Sequence, residues 1–295
     1  MPLLCRRLLH LLFVACLGWP ALLWAQPQVF TLTAPQAGNP NRIPFNQAVL
    51  TLALDKTRAT DGDYRIAFTP RMNTARALEE ARRKTYPNLL VLTTFQNTLL
   101  DTGLDYARFP VDLGFTGYRI CFVSPQAREA VAKATSLEQL RQFSVGQGTG
   151  WADAQILRYN LFKVVEVPLK ESLFGMVALG RVDLFCRGMD ELEPEYLANR
   201  QLEGLDYDRS FALSYKLPRF FLGHQSNDPA LKRVTRGLLL AYKDGSLKAL
   251  HQRYFGSALK FAKLPERRMV KLETPNIDRI DFDYQRYYLD PFAKP

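Results

Sequence analysis

Apolar and polar positions along this chain repeat with two periods, and the switches between them mark its elements. Residues 29–33 (Val-Phe-Thr-Leu-Thr) alternate as a strand does, whereas Phe45, Val49 and Leu52 recur at helical spacing. Residues 64–68 (Tyr-Arg-Ile-Ala-Phe) give a second strand. Asn73 is placed to cap a helix running to Arg83 with Ala77, Leu78 and Ala81 on its apolar side. The run Leu89-Leu90-Val91-Leu92 is apolar throughout and predicts a third strand. Strands alternating with helices at this spacing predict an α/β sheet built from crossover units.

A second series starts after Gly117. Residues 118–123 predict a strand that Ser124-Pro125 ends, and Ser136 with Gln139 forms a capping-box pattern before a short helix. A strand is expected over 143–145, then a glycine-rich turn opening a helix from Trp151 to about Tyr159. A strand at 164–167, a helix at 170–179 and a strand at 181–185 complete a compact unit of ordinary domain size. Beyond it, Asp228-Pro229 opens a helix with Leu231, Val234, Leu238 and Ala241 on one face, which Gly245 ends. A further helix is expected to stop at Gly256, residues 269–272 to form a last strand, and the aromatic, acidic tail from Asp278 to pack on the first half. The run Glu191, Glu193, Glu195 around Pro194 reads as a solvated loop.

Composition adds an export signal and removes several chemistries. Arg6 and Arg7 precede an apolar stretch from Leu8 to Trp24 that ends at Ala25, the pattern of a secretory signal peptide over residues 1–25. Cleavage there leaves 270 residues with a net charge of +8, reduced from +10. The basic residues are scattered, which favours a solvated surface over a nucleic-acid site, and no nucleic-acid partner is expected. Two of the four cysteines remain, Cys121 and Cys186, either bridged in an oxidising compartment or buried as free thiols. With only His224 and His251 in the mature chain, neither a metal site nor a histidine-based triad is expected. No catalytic motif with a nucleophile elbow, zinc-protease pair or phosphate loop is present.

Candidate chemistry concentrates in Gly146-Gln147-Gly148-Thr149-Gly150-Trp151. Thr149 and the N–H groups of Gly148 and Gly150 sit where a carboxylate or phosphate rests at a helix start, or the glycines merely permit a tight turn. Trp151 either walls a pocket or packs its helix on the sheet. Arg187, following the last strand of the series, is expected at the carboxyl edge of the sheet. There it clamps a ligand carboxylate or phosphate, or else pairs with Glu191. Asp183 either bonds an amine or caps backbone amides. Arg119, in the strand that follows Gly117, either contacts ligand or is structural, and with Thr94 at the end of the third strand it completes the candidate set.

These residues carry a resemblance. Gly117-Tyr118-Arg119, Gly146-Gln147-Gly148, Trp151 with Asp153, Gly180-Arg181-Val182-Asp183, Arg187-Gly188, Glu191, Glu195 and the run Leu217-Pro218-Arg219-Phe220-Phe221 are similar to exported bacterial proteins of the type 2 periplasmic solute-binding family, family 3-like. The resemblance implies a two-lobed α/β fold, each lobe a mixed sheet flanked by helices. The first lobe is then 26–117 with 215–295, the second 118–214, joined by two hinge crossings. Where amino-acid-binding members carry Thr-x-x-Arg after the third strand, this chain reads Thr94-Phe95-Gln96-Asn97, without the arginine.

The resulting expectation is an exported monomer, periplasmic and without cofactor. It closes on a small polar, anionic ligand and passes it to an inner-membrane permease. A ligand sensor for a membrane kinase or cyclase is the alternative, and a cell-wall enzyme the third reading.

Overall fold

The computed structural model describes residues 26–34 and 42–292; the expected signal segment at 1–25 lies outside the described residues. In chain order the strands are β1 (Gln28–Leu32), β2 (Tyr64–Phe68), β3 (Leu89–Thr94), β4 (Leu104–Tyr106), β5 (Tyr118–Val123), β6 (Ser144–Gly148), β7 (Lys163–Val167), β8 (Leu184–Gly188), β9 (Asp206–Tyr207), β10 (Phe211–Ser214), β11 (Arg219–His224) and β12 (Arg268–Lys271). The helices are α1 (Arg42–Lys56), α2 (Arg58–Asp61), α3 (Thr74–Arg82), α4 (Arg128–Lys133), α5 (Leu137–Leu140), α6 (Ala152–Tyr159), α7 (Lys170–Ala178), α8 (Met189–Asn199), α9 (Asp228–Lys243) and α10 (Ser246–Ala262).

Two sheets result. The first has the order β2-β1-β3-β11-β4, with β1 parallel to β2 and β3, and β11 antiparallel to β3 and β4. The second has the order β12-β10-β5-β8-β6-β7, with β9 beside β5. Local signals account for much of this. The Asn73 side chain accepts the Arg76 N–H at 2.9 Å and starts α3, and the Ser136–Gln139 capping box forms in both directions. Pro229 sits in the first turn of α9, whose buried Leu231, Val234 and Leu238 face the first core beside Phe30 and Val49 of β1 and α1.

Several elements depart from the periodic reading. The strand expected at 143–145 continues through Gly148. Its glycines serve close packing: a Cβ on Gly146 would lie 2.5 Å from the Leu173 side chain, and one on Gly148 only 2.3 Å from the Trp151 ring. The last strand of the second series is shifted, so Arg187 lies within β8 and not beyond it. The acidic run around Pro194 is helical, because Glu191 accepts the Gly188 N–H at the start of α8 and Leu192 is buried. Gly256 does not stop α10; buried Ala258 and Ala262 extend its apolar face for another turn and a half.

Cys121 and Cys186 face one another across the antiparallel β5–β8 pair and form a disulfide. The chain path is also more tangled than two crossings. β12 pairs in parallel with β10 in the second sheet, although the sequence reading places all of 215–295 in the first lobe. From β12 the chain returns to the first lobe, where Asp281 meets Arg108 and Leu289 N–H donates to the Leu113 carbonyl.

Candidate functional site

The carboxyl ends of β6 and β8 lie on one edge of the second sheet, beside the starts of α6 and α8, and charged side chains converge there. Arg119, at the start of β5, is 6% exposed. Its Nε donates to the Tyr215 hydroxyl at 3.1 Å and its terminal nitrogen lies 2.9 Å from Asp153 Oδ1 on α6. Tyr215 donates to the same Asp153 oxygen at 2.5 Å. Burial opposes the Arg119 charge. Asp153, Tyr215 and Glu191 together outweigh it and hold the guanidinium's pKa above its ordinary value.

Arg187 is equally buried. It grips Glu195 bidentately, at 2.7 and 2.9 Å, and reaches Glu191 at 2.8 Å. Lys170 adds a third contact to Glu195 at 3.0 Å. The Arg187 guanidinium also stacks 4.9 Å from the centre of the Trp151 ring and 5.2 Å from that of Phe185. Three cations, Arg119, Arg187 and Lys170, thus meet three carboxylates, Asp153, Glu191 and Glu195. The buried Asp190 carboxylate stands at the same edge, beside Gly188 and Arg119.

The glycine turn holds an anion, and the anion is the protein's own. Gly150 N–H donates to Glu166 Oε2 at 3.0 Å, and Arg158 pairs with the same carboxylate. The Gly150 bond first, and Arg158 second, keep the Glu166 pKa below the usual carboxylate value. Thr149 is exposed, with its N–H on the Val167 carbonyl.

Across from α6 stands the first lobe's edge. Thr94 ends β3 in register with Arg219 of β11, whose guanidinium lies 2.8 Å from Asp112 and 3.0 Å from the Leu92 carbonyl. Thr94, Phe95 and Gln96 face Ala152, Gln155 and Ile156 of α6. Thr274 to Ile277 line the same gap, which leaves about 10 Å³, at the limit of one water. A separate hollow of about 210 Å³ lies beside α10, between Phe115, Lys248, His251 and Asp290, and takes in none of the candidate residues.

No protein-family model matches the sequence, and no curated protein is similar to it. Solved structures do match. An ancestral arginine-binding protein bound to arginine aligns at 16% identity over 78% of this chain and 99% of its own, with a TM-score of 0.57. The ligand-binding core of GluR0 from Nostoc punctiforme, in complex with L-glutamate, aligns at 15% identity over 78% and 99%, TM-score 0.52. A Salmonella typhimurium periplasmic binding protein with high arginine specificity aligns at 12% over 78% and 100%, TM-score 0.54. The chain has the two-lobed fold of the periplasmic amino-acid-binding proteins. About a fifth of it lies outside the shared region in each alignment.

Within this fold the candidate residues separate into groups. Gly148, Trp151, Arg119 and Arg187 share the carboxyl edge of the second lobe, while Thr94 lines the small gap beside Ala152, Gln155 and Ile156 of α6. Asp183 does not join them. It precedes β8, at the opposite edge of the parallel strands, where its carboxylate accepts the Ser144 N–H at 2.8 Å and the Ser144 hydroxyl at 2.7 Å. Asp153, Tyr215, Lys170 and Arg219 were missed as site residues. Asp153 had two signals, its place in the first turn of the helix after the glycine turn and its part in the resemblance, which also includes Arg219; Tyr215 and Lys170 depend on long-range pairing. His251 is packed among Phe45, Phe115 and Phe255, with Nε2 on the Val111 carbonyl at 2.9 Å. Among the described residues no His, Cys, Asp and Glu group is gathered as a metal site, and no helix is long and apolar enough to cross a membrane.

Proposed function

We propose that this chain is an exported, periplasmic binding protein whose lobes close on a small zwitterionic ligand of the amino-acid class, for delivery to a membrane permease. The internally paired cluster of Arg119, Arg187, Lys170, Asp153, Glu191 and Glu195 at the cleft edge carries this reading. A free anion finds each guanidinium there already matched to a carboxylate and the Gly150 N–H already holding Glu166. Displacing a buried, bidentate carboxylate leaves it uncompensated, a cost of several kcal/mol. The purely anionic ligand expected from the sequence therefore gives way to one that brings both charges, replacing one internal pair by two external ones. The arginine and glutamate held by the structural neighbours belong to that class. Closure is a hinge motion driven by contacts that exist only in the shut state.

A thermal-shift titration of residues 26–295 tests the proposal, with L-arginine, L-glutamine and L-glutamate beside citrate and inorganic phosphate. A ligand that binds only the folded chain stabilises it by about 2.7 kcal/mol at a hundredfold excess over Kd. The expected result is a concentration-dependent rise with at least one α-amino acid and none with citrate or phosphate. A rise with the anions alone would restore the anionic reading and remove this one.

A further inference from the structure

The segment after β12 is bonded to both lobes. Its second-lobe end is held by Asn160, whose side chain accepts the Glu273 N–H at 3.1 Å and donates to the Glu273 carbonyl at 2.8 Å. Its first-lobe end is held by Asn97 in the same manner. Asn97 N–H donates to the Asn276 carbonyl at 2.8 Å, its side-chain nitrogen to Asp278 at 2.6 Å, and its side-chain oxygen accepts the Arg279 N–H at 3.1 Å. Arg279 continues to Asp101 at 2.6 Å. Between these grips the backbone is spent on reach. Asn276 adopts φ +63°, a left-handed value that asparagine tolerates better than most residues. Thr274, Pro275, Asn276 and Ile277 line one small gap together with Thr94 of the first lobe and Ala152, Gln155 and Ile156 of α6.

Both ends are anchored in folded structure, not only in these bonds. β12 is hydrogen-bonded into the second sheet. Beyond Arg279, Asp281 accepts the Tyr106 hydroxyl at 2.8 Å and pairs with Arg108 at 2.9 Å, and Tyr284 is buried beside Phe220 and Phe95. A fully extended span of five residues, 273–277, reaches at most about 17 Å. Opening the lobes beyond that reach must break the Asn97 or Asn160 grip, after which the nine residues 272–280 between β12 and Asp281 set a limit of about 30 Å.

We propose that residues 273–277 are a built-in strap that limits how far the lobes separate and occupies one side of the cleft mouth, so that ligand enters from the other side. This holds whatever ligand the cleft takes, and it concerns interlobe motion alone. Its failure therefore leaves the binding proposal standing.

The test places distance labels on Lys232→Cys in α9 and Lys133→Cys in α4, both well exposed. It compares the natural strap with one carrying six Gly/Ser residues inserted between Thr274 and Pro275. The insertion adds about 20 Å of reach and leaves β12 and the tail anchors intact. The expected result, without ligand, is a single narrow interlobe distance for the natural strap, and a mean longer by about 5 Å or more with a broader distribution for the insertion. Asn97→Ala, which keeps the chain length, is expected to broaden the distribution to longer distances by a smaller amount. It serves as the deciding variant if the insertion fails to unfold cooperatively. Unchanged distances in a folded variant would overturn the proposal and place the restraint in α10 and the hinge strands.

Discussion

Arg187 shows how a residue type can be legible in sequence while its partner is not. Its position predicts a cation at the carboxyl edge of the sheet, and a cation is found there, shut between Glu191 and Glu195 and stacked on Trp151. Those contacts give it a part in holding the second lobe together. Arg187→Ala leaves Glu195 with only Lys170 and Glu191 with only the longer contact to Arg119 at 3.8 Å, and removing one partner of a buried pair costs about 3–5 kcal/mol. Urea unfolding would read that loss directly. A change below about 1 kcal/mol would mean that the carboxylates reach water and that the cluster is open to ligand already. Asp183 teaches the converse. Both readings of it were open in the sequence, and its two bonds to Ser144 select the capping one.

At the scale of elements, the readable signals were those whose cause lies within four or five residues. The Asn73 cap, the Ser136–Gln139 box and the proline-started α9 formed as expected because each is a local hydrogen-bond or backbone effect. Glycines misled wherever a distant element set their role. Gly148 is in a strand because Trp151 lies over it, and Gly256 continues a helix that periodicity alone would have ended. Gly237 in α9 belongs to the same class: a Cβ there would come 1.9 Å from the Ala53 carbonyl oxygen of α1. The two helices cross in backbone contact at that point. Gly237→Ala gains helix propensity but must push the helices apart, so a net loss of about 1–3 kcal/mol is expected. At roughly 2–4 °C per kcal/mol for a chain of this size, the melting temperature falls by several degrees. Unaltered or raised melting would show that the α1–α9 contact yields without cost.

For the whole molecule, alkaline pH is the informative variable. Burial, with the Asp55 bond second, pushes the Tyr64 phenol up to about 12, and burial does the same for Tyr284. Tyr215 at the lobe crossing is raised well above the ordinary value, by burial first and Asp153 second. An unfolded tyrosine titrates near 10, so each of these folded-state values lies above the unfolded one. The stability they contribute is complete below about pH 10 and is lost as pH climbs toward and beyond 12. Urea midpoints at pH 8 and pH 11 should therefore fall together in both lobes, tracked by tyrosinate absorbance. An equal or higher midpoint at pH 11 would contradict these environments.

The α/β class, the order of strands and helices and the presence of a second unit after Gly117 were determined by sequence alone, because periodicity and caps act over single turns and strands. The resemblance carried by residues such as Gly117-Tyr118-Arg119 extended that to two lobes, which the solved structures support as a fold. Tertiary structure decided the rest. It joined Cys121 to Cys186, turned the expected anion clamps inward onto Asp153, Glu166, Glu191 and Glu195, and carried β12 into the second sheet. Asn97 meets Asn276, and Asn160 meets Glu273, across more than a hundred residues of chain. No local period encodes such a meeting; it exists only once both cores have condensed and brought the two asparagines to the same strap.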